Sequence, residues 1–146
     1  MSNPSISMSD DASQYSSARS SDDRIIVMGG VALQGEIEVA GSKNSSLPIL
    51  AASLLASRGQ CVLHNVPDIA DVQTMCQMLA ALGATVKRED HAVVIDAGHL
   101  KSHRAPEPLV RTMRASFYVA APLLARLHQA EVPLPGGCVL GPRPIN

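Results

Sequence analysis

Between Asp68 and Gly83 the residues Ile69, Val72, Met75, Cys76, Leu79 and Leu82 recur at helical spacing. Steps of three and four put all six on one face of a helix, and such a face has to be buried against something. Asp68 is placed to cap the start of this helix, and Gly83 to end it. Only 2% of the chain is aromatic while 46% is hydrophobic, so the partner surface must be aliphatic. The segments on either side supply it. Glu36–Val39 and Gln60–His64 alternate as short strands. Leu47 to Ala56 is apolar enough for a buried helix ending before Gly59, provided that Pro48 lies in its first turn, where a missing N–H is harmless. Ala84–Lys87 and Ala92–Asp96 read as two strands joined by Arg88-Glu89-Asp90.

The resulting order is β-α-β-α-β-β, preceded by a strand at Arg24–Met28 and a Gly29-Gly30 turn. This is an α/β (α+β) chain with one complete unit and the start of a second, between which the sequence shows no repeat. Downstream, residues 98–108 read as a loop, 113–127 as a third helix, and Val132–Leu134 as a strand entering Pro135-Gly136-Gly137. The last residues form a Gly- and Pro-rich loop, so a unit that continues further, a truncated chain, is expected. Residues 1–23 stand apart: nine are serine, and they hold too little apolar surface to offset the entropy of ordering. They are read as a disordered tail, and residues 24–146 as the folded part.

The chain's chemistry is narrowed by what it lacks. A formal net charge of −1 gives no electrostatic footprint for nucleic acid. No apolar run is long enough for a membrane span, and no basic start followed by an apolar run marks a secretory signal. Three widely spaced cysteines, Cys61, Cys76 and Cys138, suit neither a disulfide framework nor a CxxC metal site. The five histidines have no zinc-like spacing. A cytoplasmic protein without a metal or other cofactor is expected.

Three places can carry chemistry. Gly41-Ser42-Lys43-Asn44 opens a helix, where free N–H groups and Lys43 can hold an anion; taken alone, these residues read first as an ordinary cap with a solvated lysine. Arg114 is either a surface arginine or a fork for phosphate or carboxylate. Cys138 follows two glycines in a loop, with Arg143 five residues on, and is either a reactive thiol or an incidental one. Cys61 and Cys76 fall in a strand and on an apolar helix face and read as small core residues.

Four segments together resemble one family. These are Gly41-Ser42-Lys43-Asn44-Ser45-Ser46-Leu47-Pro48, Val66-Pro67-Asp68-Ile69-Ala70-Asp71-Val72, Met113-Arg114-Ala115-Ser116, and Leu134-Pro135-Gly136-Gly137-Cys138-Val139-Leu140-Gly141-Pro142-Arg143-Pro144-Ile145. In their order and spacing they are similar to the UDP-N-acetylglucosamine enolpyruvyl transferases. The resemblance implies an inside-out α/β barrel of repeated units, incomplete here, and transfer of the enolpyruvyl group of phosphoenolpyruvate to UDP-N-acetylglucosamine at the start of peptidoglycan precursor synthesis. It implies that Lys43, Asn44, Arg114 and Arg143 contact phosphoenolpyruvate. Asn44, Arg114, Arg143, Pro144 and Ile145 would contact the nucleotide sugar, and Cys138 would be the general acid. The chain departs from the family at Asn146, where an aspartate is usual, and at Pro142, where an alanine is common. Two alternatives stand beside this reading. One is the shikimate-pathway enolpyruvyl transferase, which lacks the Gly-Gly-Cys loop; the other is a truncated remnant without catalysis.

Overall fold

The computed structural model describes residues 26, 29–30, 32 and 34–136. The chain divides into two units, Met1–Glu36 and Ile37–Asn146. The described residues of the first carry no regular element, and the Ser-rich tail and almost all of the expected Arg24–Met28 strand lie outside the description.

In the second unit the order is α1 (Lys43–Ala52), a 3-10 turn (Ser53–Leu55), β1 (Cys61–Leu63), α2 (Ala70–Ala81), β2 (Thr85–Glu89), β3 (Ala92–Asp96), α3 (Glu107–Thr112), a second 3-10 turn (Arg114–Val119) and α4 (Ala120–Leu127). The strands form one sheet in the order β1-β3-β2, with β3 antiparallel to both neighbours. The register pairs Cys61 and Val86 with Ile95, and Leu63 and Arg88 with Val93. These residues therefore share the sheet face that packs toward the helices.

α2 behaves as its spacing predicts. Val72, Met75, Leu79 and Leu82 are fully buried, joined by Met78; Cys76 and Ile69 are half-buried. The helix closes with the amide of Ala84 bonded to Leu79 O and that of Gly83 to Ala80 O, and Gly83 sits at φ +110. That is a Schellman end, which needs a left-handed residue. Asp68 is not its cap: the N-cap is Ile69, and Asp68 accepts from Gln73 Nε2 at 3.0 Å. The core is aliphatic, with Leu47, Leu50 and Leu54 from the first helical segment and Val110, Val119 and Leu123 from the last ones.

The structure corrects five further expectations. Residues 36–39 form no hydrogen-bonded strand, and Ile37 and Val39 are exposed. Alternation marks a chain that can pair, but a strand exists only where a neighbour takes its N–H and C=O groups. α1 starts at Lys43 rather than Leu47, so Pro48 lies in the second turn, where the C=O of Asn44 loses its helical donor. The reading of 98–108 as a loop misses α3, which the Pro106-Glu107-Pro108 start favours: proline fits the first turn, and Glu107 suits the positive helix end. The helix expected over 113–127 is broken in two. Pro122 has no N–H to bond back to Tyr118, so the chain runs as a 3-10 turn before it and as α4 after Val119, with Pro122 in the first turn. Val132–Leu134 is not a strand; among the described residues the neighbouring Glu131 forms a single parallel bridge with Arg104.

Arg126 ties the end of α4 to the rest. Its guanidinium donates to the carbonyls of Leu54 at 2.8 Å, Ala56 at 2.9 Å and Ala97 at 3.2 Å, closing the first helical segment and the exit of β3 against α4.

Candidate functional site

The Gly41-Ser42-Lys43-Asn44 segment is held from behind by the turn after β1. A Cβ built on Gly41 would lie 1.7 Å from Asn65 O, so only glycine fits there. Asn65 is left-handed at φ 55, a conformation asparagine tolerates, and its Oδ1 accepts the Gly41 N–H at 2.9 Å. The next residue, Val66, donates to His91 O at 2.8 Å and accepts from Arg88 Nη2 at 3.2 Å. The second family-like segment is thus a joint between the front of α1 and the β2–β3 hairpin.

Ser42 is the N-cap of α1 in backbone conformation, with no side-chain cap bond. Lys43 and Asn44, the first two helical residues, are exposed. Lys43 is not a solvated lysine standing alone: its Nζ forms an ion pair with Asp71 Oδ2 in the first turn of α2. Asp71 is the residue that sequence reasoning passed over. Its signal was an acid in the first turn of a helix whose neighbour opens with a lysine, but a partner 28 residues away is visible only once α1 and α2 are packed together.

Arg114 opens the second 3-10 turn and is half-buried. Its neighbours in Met113-Arg114-Ala115-Ser116 explain the segment. Met113 is buried with an extended backbone, φ −148 and ψ 126, and Ser116 is fully buried, its Oγ donating to Met113 O at 2.6 Å. These two residues anchor the turn and fix where Arg114 emerges. α1 packs directly on this 3-10 turn, so the elements bearing Lys43 and Arg114 are in contact.

Cys138, Arg143, Pro144 and Ile145 lie outside the described residues. The loop toward them is described up to Gly136, whose N–H donates to Val110 O at 3.3 Å. A Cβ on Gly136 would come within 2.0 Å of Arg111 O. Gly136, the last described residue before Cys138, is therefore seated on the last turn of α3, at Arg111, three residues before Arg114.

The other two thiols are free and half-buried. Burial pushes the Cys76 thiol above its ordinary value, only partly offset by the charge of Arg88. Such a thiol stays protonated and unreactive at neutral pH. Among the described residues no cluster of His, Cys, Asp and Glu is suited to hold a metal, and no helix is long and apolar enough to cross a membrane.

Residues 27–146 match the family model described as EPSP synthase (3-phosphoshikimate 1-carboxyvinyltransferase). The chain belongs to the EPSP synthase family. Within it, the chain is 52% identical over 124 residues to a UDP-N-acetylglucosamine 1-carboxyvinyltransferase of Chlorobium phaeovibrioides, covering 85% of this chain and 29% of that protein. It is 51% identical to the enzyme of the same name from Desulfosudis oleivorans, covering 85% of this chain and 30% of that protein. Among solved structures it is similar to the enolpyruvyl transferase NikO from Streptomyces tendae, with a TM-score of 0.59 and 27% identity over 67% of this chain and 23% of that one. The fold is accordingly part of the mixed α/β enolpyruvyl transferase architecture. The chain spans just under a third of the length of the curated relatives it matches.

Proposed function

We propose that these residues form the amino-terminal part of an enzyme that transfers the enolpyruvyl group of phosphoenolpyruvate to UDP-N-acetylglucosamine, releasing phosphate, in the cytoplasmic synthesis of peptidoglycan precursors. The observation that carries the reading is the Pro135-Gly136-Gly137-Cys138 loop, present together with the three other family-like segments in a chain about half identical to enzymes of that name. The family model's own description names the shikimate-type reaction. The Gly-Gly-Cys loop and the relatives' names favour the nucleotide sugar as acceptor instead.

The chemistry asks for what these residues offer. Phosphoenolpyruvate is a small and highly charged anion. Lys43, Arg114 and Arg143, with the N–H groups at the front of α1, would neutralise its phosphate and carboxylate, and Asn44 would orient it beside the sugar. Cys138 would give its proton to the methylene carbon, which leaves oxocarbenium character on the adjacent carbon. The sugar hydroxyl attacks there with loss of its own proton to give a tetrahedral adduct, and a proton of the new methyl group then leaves together with phosphate as the enol ether forms. Arg143, Pro144 and Ile145 would begin the nucleotide site. The pairing of Lys43 with Asp71 adds a constraint: the lysine reaches the anion with one of its three donors already committed.

The test is phosphate release from phosphoenolpyruvate by the enzyme carrying these residues in its full reading frame, with UDP-N-acetylglucosamine or shikimate 3-phosphate as acceptor. Release that depends on the nucleotide sugar and falls at least about a hundredfold in Cys138→Ala, the usual scale for losing a general acid, is the expected result. Release driven by shikimate 3-phosphate would overturn the assignment.

A further inference from the structure

Lys43 and Asp71 each stand in the first turn of a helix, Lys43 as the first residue of α1 and Asp71 as the second of α2. The two helix fronts lie side by side, because the Lys43 ammonium and the Asp71 carboxylate form an ion pair across them. Free N–H groups give each front a partial positive charge. Together with the ammonium they make a place that attracts an anion, and the Asp71 carboxylate is an anion already standing in it. The fold gains little from the pair, since its side chains are 52% and 31% exposed and water screens most of their attraction. The carboxylate is nonetheless held in place. Val72, the next residue, is fully buried, and its N–H bonds to Ile69 O at 3.0 Å. Asp68, the other acid of this segment, turns elsewhere: its Oδ1 accepts from Gln73 Nε2 at 3.0 Å and lies 3.6 Å from Arg88 Nη2.

We propose that Asp71 is an affinity brake on the Lys43 site: its charge weakens the hold on a phosphate-bearing anion there, substrate and released phosphate alike. The inference rests on the reading of Lys43 as an anion contact. An anion reaches the ammonium from the side that Asp71 leaves open, which sets its nearest charge about 5–6 Å from the carboxylate. In water-exposed surroundings, like charges at that range weaken binding about three- to tenfold for an anion carrying one or two charges. The same carboxylate opposes phosphoenolpyruvate on the way in and inorganic phosphate on the way out. Weakening that is uniform in this way raises KM and leaves the chemical step alone. Its benefit lies in residence time, because an anion held less tightly leaves sooner. A reaction that ends with phosphate beside the same lysine needs that release before the next substrate can enter.

The test is titration of the isotope-labelled whole chain with inorganic phosphate and, separately, with phosphoenolpyruvate, read by NMR at the Lys43 amide. Asp71→Asn keeps the size of the side chain and removes its charge. It should tighten binding of both anions about three- to tenfold at low ionic strength, and the gain should shrink as salt is raised. Asp71→Glu, which keeps the charge, and Asp68→Asn, whose carboxylate is engaged with Gln73 and Arg88, should each stay within about twofold of the parent. A loosened fold does not bind more tightly, so the direction of the change separates the brake from a structural role. Unchanged or weaker binding in Asp71→Asn, with the parent responding at Lys43, would overturn the brake and leave Lys43 standing as an anion contact. No response at Lys43 in either protein would overturn both. The parent also gives a check without any variant. The side-chain carboxyl carbon of Asp71 should shift along the same saturation curve as the Lys43 amide, and a carbon that stays unmoved up to saturation would refute the brake.

Discussion

Gly41→Ala places a methyl group 1.7 Å from Asn65 O and 2.9 Å from its carbonyl carbon, with Pro67 Cδ at 3.3 Å. Real Cβ atoms essentially never approach closer than 3.0 Å, so the front of α1 and the turn after β1 must part by about 1.3 Å. Neither side is free to move. Asn65 is followed by Val66, which is buried and bonded on both sides to the β2–β3 hairpin, while Gly41 leads within six residues into the fully packed Leu47. Overpacking of this kind costs about 1–3 kcal/mol. Loss of the Gly41 N–H bond to Asn65 Oδ1 adds about 1 kcal/mol. The sum is about 2–4 kcal/mol, on the order of 10–30 °C in melting temperature for a domain of this size. Urea unfolding followed by circular dichroism measures it, with Gly29→Ala, where nothing lies within 4 Å, as the control. Parent-like stability in Gly41→Ala would show that the joint is not a close contact, and the argument for how Lys43 and Asn44 are placed would fail with it.

Arg126→Met keeps the stem of the side chain but leaves the carbonyls of Leu54, Ala56 and Ala97 without their donor, at a cost of about 2–3 kcal/mol in urea unfolding; Arg126→Lys, with no planar fork, should recover less than half of it. Asp71→Asn removes a pair whose side chains are 52% and 31% exposed, so its stability cost should stay below about 1 kcal/mol and shrink at high salt. A larger, salt-independent loss would contradict the exposed geometry. Cys76 has its pKa raised on folding, so its stabilising contribution is complete below the ordinary thiol value, roughly 8.5, and is lost as pH rises through the folded value. Melts from neutral to strongly alkaline pH should show a decline that Cys76→Ala reduces, and an unchanged slope in that variant would refute it.

What could be read from the sequence was what is local. α2 and the two strands after it are specified by apolar spacing and by Gly83, and they appear within a residue or two of where those signals put them. The hairpin turn is displaced to Asp90-His91, because Arg88 and Glu89 extend β2 and Asp90 takes the left-handed position at φ 50. The errors share a cause. Pro48, Pro106, Pro108 and Pro122 each act by position within a helical turn, and position is known only when the helix start is known. Residues 36–39 alternate well enough for a strand, but pairing is a property of two segments. The site shows the same limit. Lys43 and Arg114 could be nominated from their neighbours, whereas the ion pair of Lys43 with Asp71, the clash that reserves Gly41 for glycine, and the seat of Gly136 on α3 all join residues from 24 to 28 positions apart.

The central claim is that Lys43, Arg114 and Cys138 serve one anion. Titration of the isotope-labelled chain with phosphoenolpyruvate, followed by NMR at the backbone amides of these three residues, tests it most directly. The account predicts that all three signals shift along a single saturation curve with one dissociation constant, and that Lys43→Ala weakens the response at Cys138 as well as at its own position. Separate dissociation constants, or shifts at Lys43 and Arg114 with none at Cys138 up to saturation, would contradict it.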